Sequence, residues 1–218
     1  MKAVVVASGE PDARDAAHLA NADLVVAADG GGRWLDAIGV RPDMLLGDLD
    51  SLEPSLVERL ADGGVAVERH PALKDASDTE LALGRAVAAG ADEVIVLGAL
   101  GGGRLDHELA NVLLLADPGW RGRVQDLRIV RGGTVARALH GGERLGLTGT
   151  EGDLVTLLPI GGRAEGIRTE GLRFPLDGEA LDLGRSRGLS NEIVGGSASV
   201  SLERGTLLVI EMASEGGR

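Results

Sequence analysis

Five short apolar runs alternate with amphipathic stretches over the first half of the 218-residue chain. Short apolar runs of this kind suit buried parallel strands. Their alternation with helices predicts an α/β domain, a Rossmann-like parallel sheet with helices on both faces. The runs lie at 3–7, 24–28, 43–46, 65–69 and 93–98, and the amphipathic stretches at 12–22, 31–38, 54–62, 77–89 and about 104–116.

The pattern changes after about residue 125 into short strand-like segments separated by glycine-containing turns. Short strands at close spacing indicate an antiparallel sandwich or barrel. The sequence therefore predicts an α/β domain over 1–125 and an all-β domain over 126–218. The predicted strands of the second half are 126–131, 134–140, 153–158, 180–183, 198–202 and 206–212.

Composition excludes several classes of function. The formal charge of -12 argues against a nucleic-acid partner, because phosphate contacts need clustered lysine and arginine. The chain has no cysteine, which excludes thiolate catalysis and cysteine-based metal sites. No apolar run approaches the ~20 residues of a membrane span, and the apolar start ends at Ser8, too short for a secretory leader. We expect a cytoplasmic protein with no membrane contact.

Polar residues follow the ends of four predicted strands, in the loops 29–32, 47–51, 70–78 and 98–107. In open α/β sheets, ligands bind outside the carboxyl ends of the strands. The four loops lie on one edge of the predicted sheet, where they collect six aspartates, a lysine, an arginine and two histidines.

Asp48 and Asp50 stand two residues apart in a predicted extended segment, so both carboxylates can point the same way. Two like charges ~4 Å apart repel by about 4 kcal/mol at an effective dielectric of 20, and a divalent cation removes that repulsion. Mg²⁺ prefers one or two carboxylates together with substrate phosphates. The alternative is that Asp50 or Ser51 caps the helix around Pro54 and Asp48 is a turn residue. The neighbouring Asp29, Asp75 and Asp78 favour the metal.

Glycine triplets at 30–32 and 101–103 precede predicted helices, where backbone amides and the helix dipole attract phosphate. Glycine content alone is a weak indication, because the chain has 35 glycines. The sequence has neither GxxxxGK[ST] nor a GxGxxG after a strand, which excludes a P-loop and a dinucleotide-binding domain by motif.

Lys74 is one of only two lysines and stands beside two aspartates in a strand-end loop. It either contacts a phosphate, orders the acidic residues or is a solvated charge. Arg104 either binds a phosphate bidentately or is exposed in a first helical turn. A lone histidine such as His107 is more often structural than catalytic, and Asn111 follows it by one turn on the same helix face.

In order and spacing, these segments resemble the signature of the thiamine pyrophosphokinase family. The resemblance spans nearly the whole chain, and several separated motifs in order are more specific than any one. It rests on Asp29-Gly30-Gly31, Arg41-Pro42-Asp43, 47–51, 74–83 and 102–107 with Asn111, and in the second half on 169–176, 186–192 and 200–210.

The resemblance implies an N-terminal α/β catalytic domain, a C-terminal β-sandwich that helps bind thiamine, and a homodimer with sites shared between subunits. It implies transfer of pyrophosphate from ATP to thiamine, giving thiamine diphosphate and AMP, with Mg²⁺. The expected catalytic and metal-binding residues are Asp48, Asp50, Asp75 and Asp78. The expected ATP-binding residues are Asp29, Gly30, Gly31, Lys74, Gly102, Gly103, Arg104, Asp106, His107 and Asn111. The expected thiamine contacts are Ser190 and Asn191.

Two features depart from the family pattern. The loop that leads to Arg104 is one glycine longer than the usual form, and no tryptophan follows Ser190-Asn191, although some members stack the vitamin on one. Phe174 is the only aromatic residue of the second half. Two alternative functions remain open: a pyrophosphokinase for another hydroxymethyl heterocycle, such as a pterin, and a non-catalytic nucleotide- or vitamin-binding protein on the same fold. The clustered carboxylates speak against the second.

Overall fold

The structure is a computed structural model that describes residues 1–214. By internal contacts the chain divides into two compact units, Met1–Gly132 and Gly133–Arg218. The first unit is built on six strands, β1 (Lys2–Val6), β2 (Leu24–Ala28), β3 (Met44–Gly47), β4 (Ala66–Arg69), β5 (Glu93–Leu97) and β6 (Asp126–Arg131).

The six strands of the first unit are parallel and lie side by side in the order β6-β5-β1-β2-β3-β4. The central strand β1 is apolar because it is fully enclosed: Ala3, Val4, Val5 and Val6 have no exposed surface. The chain runs outward from β1 to β4 and then returns to β5 on the other side of β1. This reversal is the topological switch point, at which ligands of such sheets bind.

Four α-helices and two 3₁₀ turns connect these strands. Helix α2 has Pro54 at its first position, where the missing N–H costs nothing. Helix α3 begins where Ser77 Oγ accepts a hydrogen bond of 3.1 Å from the Glu80 amide. The helices are α1 (Gly31–Ala37), α2 (Pro54–Asp62), α3 (Asp78–Ala88) and α4 (Leu105–Leu114), and the 3₁₀ turns are Ala13–His18 and Pro118–Trp120.

The second unit contains two antiparallel sheets, one in the order β12-β9-β14-β7 and the other in the order β11-β10-β13-β8. A shared core joins them, with Leu139 and Leu157 from the first sheet and Ile167 and Val200 from the second. The strands are β7 (Thr134–His140), β8 (Arg144–Gly146), β9 (Leu154–Pro159), β10 (Ala164–Glu170), β11 (Asp177–Leu181), β12 (Asn191–Glu192), β13 (Ser199–Ser201) and β14 (Thr206–Met212).

The predicted fold class is confirmed as an α/β sheet followed by an antiparallel β-sandwich. The stretch at 12–22 forms only a 3₁₀ turn, and strands β8, β10 and β12 were not predicted. Strand β6 lies in the parallel sheet beside β5, although its segment was assigned to the all-β half. The domain boundary at 125/126 stays a prediction. Within residues 1–214, no helix has both the length and the apolar character needed to cross a bilayer.

Candidate active site

A cleft of about 520 Å³ opens at the carboxyl ends of the parallel strands of the first unit. The loops that follow β1, β2, β3, β4 and β5 all contribute to it, together with one face of α4. The four predicted loops are therefore brought together, and the loop after β1 is added to them. The lining residues are Ser8, Gly9, Asp29, Asp48, Ala72, Lys74, Asp75, Ala76, Ser77, Asp78, Thr79, Gly98, Ala99, Gly101, Gly102, Arg104, His107, Glu108 and Asn111.

Three carboxylates converge at one end of the cleft. Asp29, Asp48 and Asp50 each offer an oxygen within 4.8 Å of the other two. A tight turn, rather than an extended segment, brings Asp48 and Asp50 together: Leu49 is left-handed with φ 62°, and Asp48 Oδ1 accepts a 3.2 Å hydrogen bond from the Asp50 amide. Asp29 is also left-handed, with φ 44°, a conformation that aspartate tolerates better than most residues. The backbone is therefore strained where the carboxylates meet.

The arrangement fits a hard divalent cation. Asp29 Oδ1 is a buried oxygen that has no hydrogen-bond partner within residues 1–214, whereas the buried Asp78 Oδ1 is paired with the Lys74 ammonium at 3.0 Å. The Asp29 and Asp78 side chains both lie beside Gly47, where an added Cβ would be 3.1 Å from Asp78 Oδ1 and 3.1 Å from the Asp29 Cβ. A buried carboxylate oxygen without a partner is costly, and Mg²⁺ takes oxygen ligands. A Mg²⁺ ion would satisfy the Asp29 oxygen.

The four predicted metal-binding aspartates are not equivalent in the structure. Asp48 and Asp50 belong to the group of three carboxylates, and Asp78 lies next to it. Asp75 lines the cleft but is outside the group. Asp29, expected to bind ATP, lies with the carboxylates. The individual roles of these residues remain predictions.

Mutual repulsion within this group raises the pKa of Asp50. The negative charge of Asp48 raises the pKa of Asp50 above its ordinary value, and burial and the charge of Asp29 act in the same direction. Like charges held close together disfavour the ionised form. The group therefore stores repulsion that a bound cation relieves.

We expect Asp50→Asn to raise the melting temperature of the metal-free protein at neutral pH. Folding raises the pKa of Asp50, so the folded state binds the Asp50 proton more tightly than the unfolded state does. The stability of the wild type therefore falls as the pH rises from 3.8 through the raised pKa. The gain in melting temperature should shrink as the pH is lowered toward 3.8, the ordinary pKa of aspartate, and should vanish below that pH. Thermal melts of the variant and the wild type in EDTA, from neutral pH to below this pKa, check the prediction. Equal melting temperatures at neutral pH would contradict the repulsion.

Arg104 and Asp106 are paired with each other. The guanidinium donates from Nε to Asp106 Oδ1 at 2.9 Å and from Nη2 to Oδ2 at 2.7 Å. This hydrogen bonding holds the pKa of Asp106 well below its usual range. Arg104 lines the cleft and Asp106 does not. A phosphate at Arg104 would therefore share the guanidinium with Asp106.

The other predicted nucleotide contacts divide into two groups. Lys74, Gly102, His107 and Asn111 line the cleft, whereas Gly30, Gly31 and Gly103 do not. An added Cβ on Gly31 would lie 2.0 Å from the Val6 carbonyl oxygen, so this glycine permits close packing of α1 on β1.

Two of the lining side chains also hold the walls of the cleft. Asn111 Nδ2 donates to the Ala99 carbonyl at 2.9 Å, which ties α4 to the loop after β5. Lys74 Nζ donates to the Pro71 carbonyl at 3.2 Å and lies 3.0 Å from Asp78 Oδ1.

Ser190 and Asn191 lie in the second unit. Ser190 is left-handed, with φ 55°, and its amide donates to Thr156 Oγ1 at 3.1 Å. The Asn191 amide group pairs with the backbone of Phe174: Oδ1 accepts from the Phe174 N–H at 3.0 Å, and Nδ2 donates to its carbonyl at 2.7 Å. Phe174 is 65% exposed. Asn191 therefore holds the backbone of an exposed aromatic residue in place.

Sequence reasoning missed Ser8 and Gly9, which line the cleft after β1. The signal was present, because β1 was predicted as a parallel strand whose carboxyl end shares the edge of the other loops. Ser8 and Gly9 were not predicted because both are uncharged, whereas the other loops were identified by their charged residues.

The parallel sheet, its switch-point cleft and the carboxylate group are typical of an enzyme that handles a metal-bound phosphorylated substrate. Comparison with known proteins narrows this class. The family model for the catalytic domain of thiamin pyrophosphokinase matches residues 16–129, and the model for its vitamin B1 binding domain matches residues 143–207. The chain belongs to the thiamine pyrophosphokinase family.

Individual relatives agree with this assignment. The chain is 27% identical over 176 residues to thiamine pyrophosphokinase of Bacillus subtilis (strain 168), covering 81% of this chain and 80% of the relative. The crystal structure of thiamine pyrophosphokinase from Bacillus subtilis shares the fold, with a TM-score of 0.86 at 23% identity over 98% of this chain and 100% of that one. The thiamin pyrophosphokinase structure from Geobacillus thermodenitrificans has a TM-score of 0.83 at 26% identity over 99% of each chain.

Proposed function

We propose that this chain transfers the pyrophosphoryl group of ATP to the hydroxyl of thiamine, giving thiamine diphosphate and AMP. The observation that carries the proposal is the group of Asp29, Asp48 and Asp50 at the switch-point cleft, in a chain of the thiamine pyrophosphokinase family. The match over 143–207 to a vitamin B1 binding domain favours thiamine over a pterin. The acidic group favours an enzyme over a binding protein without activity, since binding alone has less need of clustered carboxylates.

The chain's own residues would act by positioning and by charge. Asp29, Asp48 and Asp50, with Asp78 beside them, would hold Mg²⁺, which neutralises negative charge on the triphosphate when bound. The glycine loop after β5 would present backbone amides to the phosphates. The thiamine hydroxyl would attack the β-phosphorus in line as AMP leaves, a reaction in which alignment and electrostatics supply most of the rate.

The second unit would contribute to thiamine binding through Ser190, Asn191 and Phe174. Asn191 holds the backbone of Phe174 at both its N–H and its carbonyl. An exposed ring on a backbone that is held in this way can stack on a flat heteroaromatic ligand. We therefore assign Asn191 the positioning of Phe174, and Phe174 the contact with the vitamin.

We propose a homodimer with sites shared between subunits, and α4 supports a contact between two copies. Leu105, Leu109 and Leu113 are 67%, 54% and 54% exposed and lie four residues apart, so they share one helix face. No residue of α4 is buried. An antiparallel pair of α4 helices about a twofold axis through Leu109 would set Leu105 opposite Leu113 of the other copy.

The expectations of a cytoplasmic location and of no nucleic-acid partner remain predictions.

Substrate choice tests the proposal. AMP should form from MgATP when thiamine is supplied, and should stay at the background level with a hydroxymethylpterin. A coupled AMP assay on the purified chain makes this comparison. AMP release that depended on the pterin would identify the alternative pyrophosphokinase, and binding of thiamine or ATP without turnover would identify the non-catalytic alternative.

A further inference from the structure

Two loops of the cleft contact each other through their backbones. The Gly9 amide donates to the Gly98 carbonyl at 2.7 Å, and the Glu10 amide donates to the Leu100 carbonyl at 3.1 Å. An added Cβ on Gly9 would lie 2.5 Å from the Gly98 oxygen, so the two loops are too close together here for any side chain at position 9. These are the loop after β1 (residues 8–10) and the loop after β5 (residues 98–103).

The loop after β5 is conformationally costly to order. Gly98, Gly101, Gly102 and Gly103 all have positive φ, between 62° and 90°. Glycine loses more backbone freedom on ordering than any other residue, so a loop of this composition needs contacts from outside itself to hold one shape. The loop after β1 supplies two backbone hydrogen bonds, and side chains from neighbouring elements add further contacts.

Arg131, the last residue of β6, contacts both loops. Its Nε donates to the Glu10 carbonyl at 3.0 Å, and its Nη2 donates to Glu10 Oε2 at 3.2 Å. An added Cβ on Gly101 would lie 3.2 Å from both Cζ and Nη2 of Arg131 and 3.0 Å from the Glu10 Cβ. The guanidinium thus lies against the bare Cα of Gly101 while it holds the loop after β1.

The backbone that carries Arg131 is itself fixed. Asp15 is completely buried, and its Oδ1 accepts a 2.7 Å hydrogen bond from the Gly132 amide. Its Oδ2 accepts from the Asp12 amide at 2.8 Å. The residue after Arg131 is therefore tied to the 3₁₀ turn that follows the loop after β1.

We propose that Arg131 is a positioning residue that holds the loops after β1 and β5 in the conformation that receives the phosphates of ATP. Arg131 does not line the cleft, so it acts through the loops. The Arg131–Glu10 ion pair is exposed and contributes little by itself. The bond from Nε to the Glu10 carbonyl and the close approach of the guanidinium to Gly101 carry the effect, and lysine cannot reproduce this geometry. The inference rests on the proposed use of ATP.

The test compares Arg131→Met and Arg131→Lys with the wild type. Each variant should raise the KM for MgATP roughly tenfold. The apparent affinity falls in proportion to the fraction of molecules whose loops are in the ATP-binding conformation. Both kcat and the KM for thiamine should stay unchanged, since the loop has the same shape once ATP is bound. Hydrogen exchange of residues 98–103 should become faster in the free variants and return to the wild-type rate with MgATP.

Two control variants separate this role from general effects of charge. Glu10→Gln keeps the main-chain acceptor and should behave like the wild type, as should Arg59→Met, which removes an exposed ion pair with Asp36. The proposal would be overturned if the Arg131 variants kept the wild-type KM for MgATP, whether or not their kcat fell. It would also be overturned if hydrogen exchange of residues 98–103 were unchanged in the variants. A wild type that bound no MgATP would contradict the proposed function, whereas the exchange rates would still report on the loops.

Discussion

Asp48→Asn is expected to lower kcat by about 10³-fold, the upper range for the loss of one charge-stabilising group in an active site. Asp48 shares the group of three carboxylates with Asp29 and Asp50 and lines the cleft directly. The amide keeps the size of the side chain but removes a charge that would hold Mg²⁺. Turnover measured against Mg²⁺ concentration checks this, and the variant should need more Mg²⁺ to reach its reduced maximum.

The matched control is Asp62→Asn, an aspartate at the end of α2 and outside the cleft. It removes the same charge from a chain of net charge -12 and should leave turnover and Mg²⁺ dependence unchanged. A folded Asp48→Asn protein with near-normal Mg²⁺-dependent turnover would remove Asp48 from the metal site.

Mixing two inactive variants, Asp48→Asn and Asn191→Ala, is expected to restore activity if sites are shared between subunits. A mixed dimer then has one site that carries both lesions and one that carries neither. Random exchange of equal amounts puts about half of the subunits in mixed dimers and restores roughly a quarter of wild-type activity, by the symmetry of a twofold interface. The measurement is the thiamine-dependent AMP rate after subunit exchange.

The controls are each variant alone and each taken through the same exchange procedure with itself. Exchange is established by native mass spectrometry of differently tagged subunits. No recovery in a sample with proven mixed dimers would place Asp48 and Asn191 of one site in the same chain. Activity of either variant alone would remove that residue from the site.

The first half of the fold was predictable because each buried strand is a continuous apolar run. Strand β1, for example, has four residues in succession without exposed surface. Strand β10 was not predictable for the converse reason. Burial changes irregularly along residues 164–170, and the register with β11 shifts on both sides of Ile167. The sequence of β10 therefore lacks the regular alternation of apolar and polar residues that predicts a strand.

The aspartate loops of the site were predictable from the order of the strands, since parallel strands end at one edge. The local geometry was not. The turn at Leu49 and the left-handed Asp29 depend on contacts made after folding, so no period in the sequence indicates them. The contact of Arg131 with Glu10 joins residues 121 positions apart and likewise has no local signal.

The identity of the transferred group tests the central claim most directly. Phosphorus NMR of the purified chain with MgATP and thiamine follows every phosphate at once. The proposed attack on the β-phosphorus predicts AMP and thiamine diphosphate in equal amounts, with no accumulation of ADP. Equal amounts of ADP and thiamine monophosphate would contradict pyrophosphoryl transfer and define a different kinase.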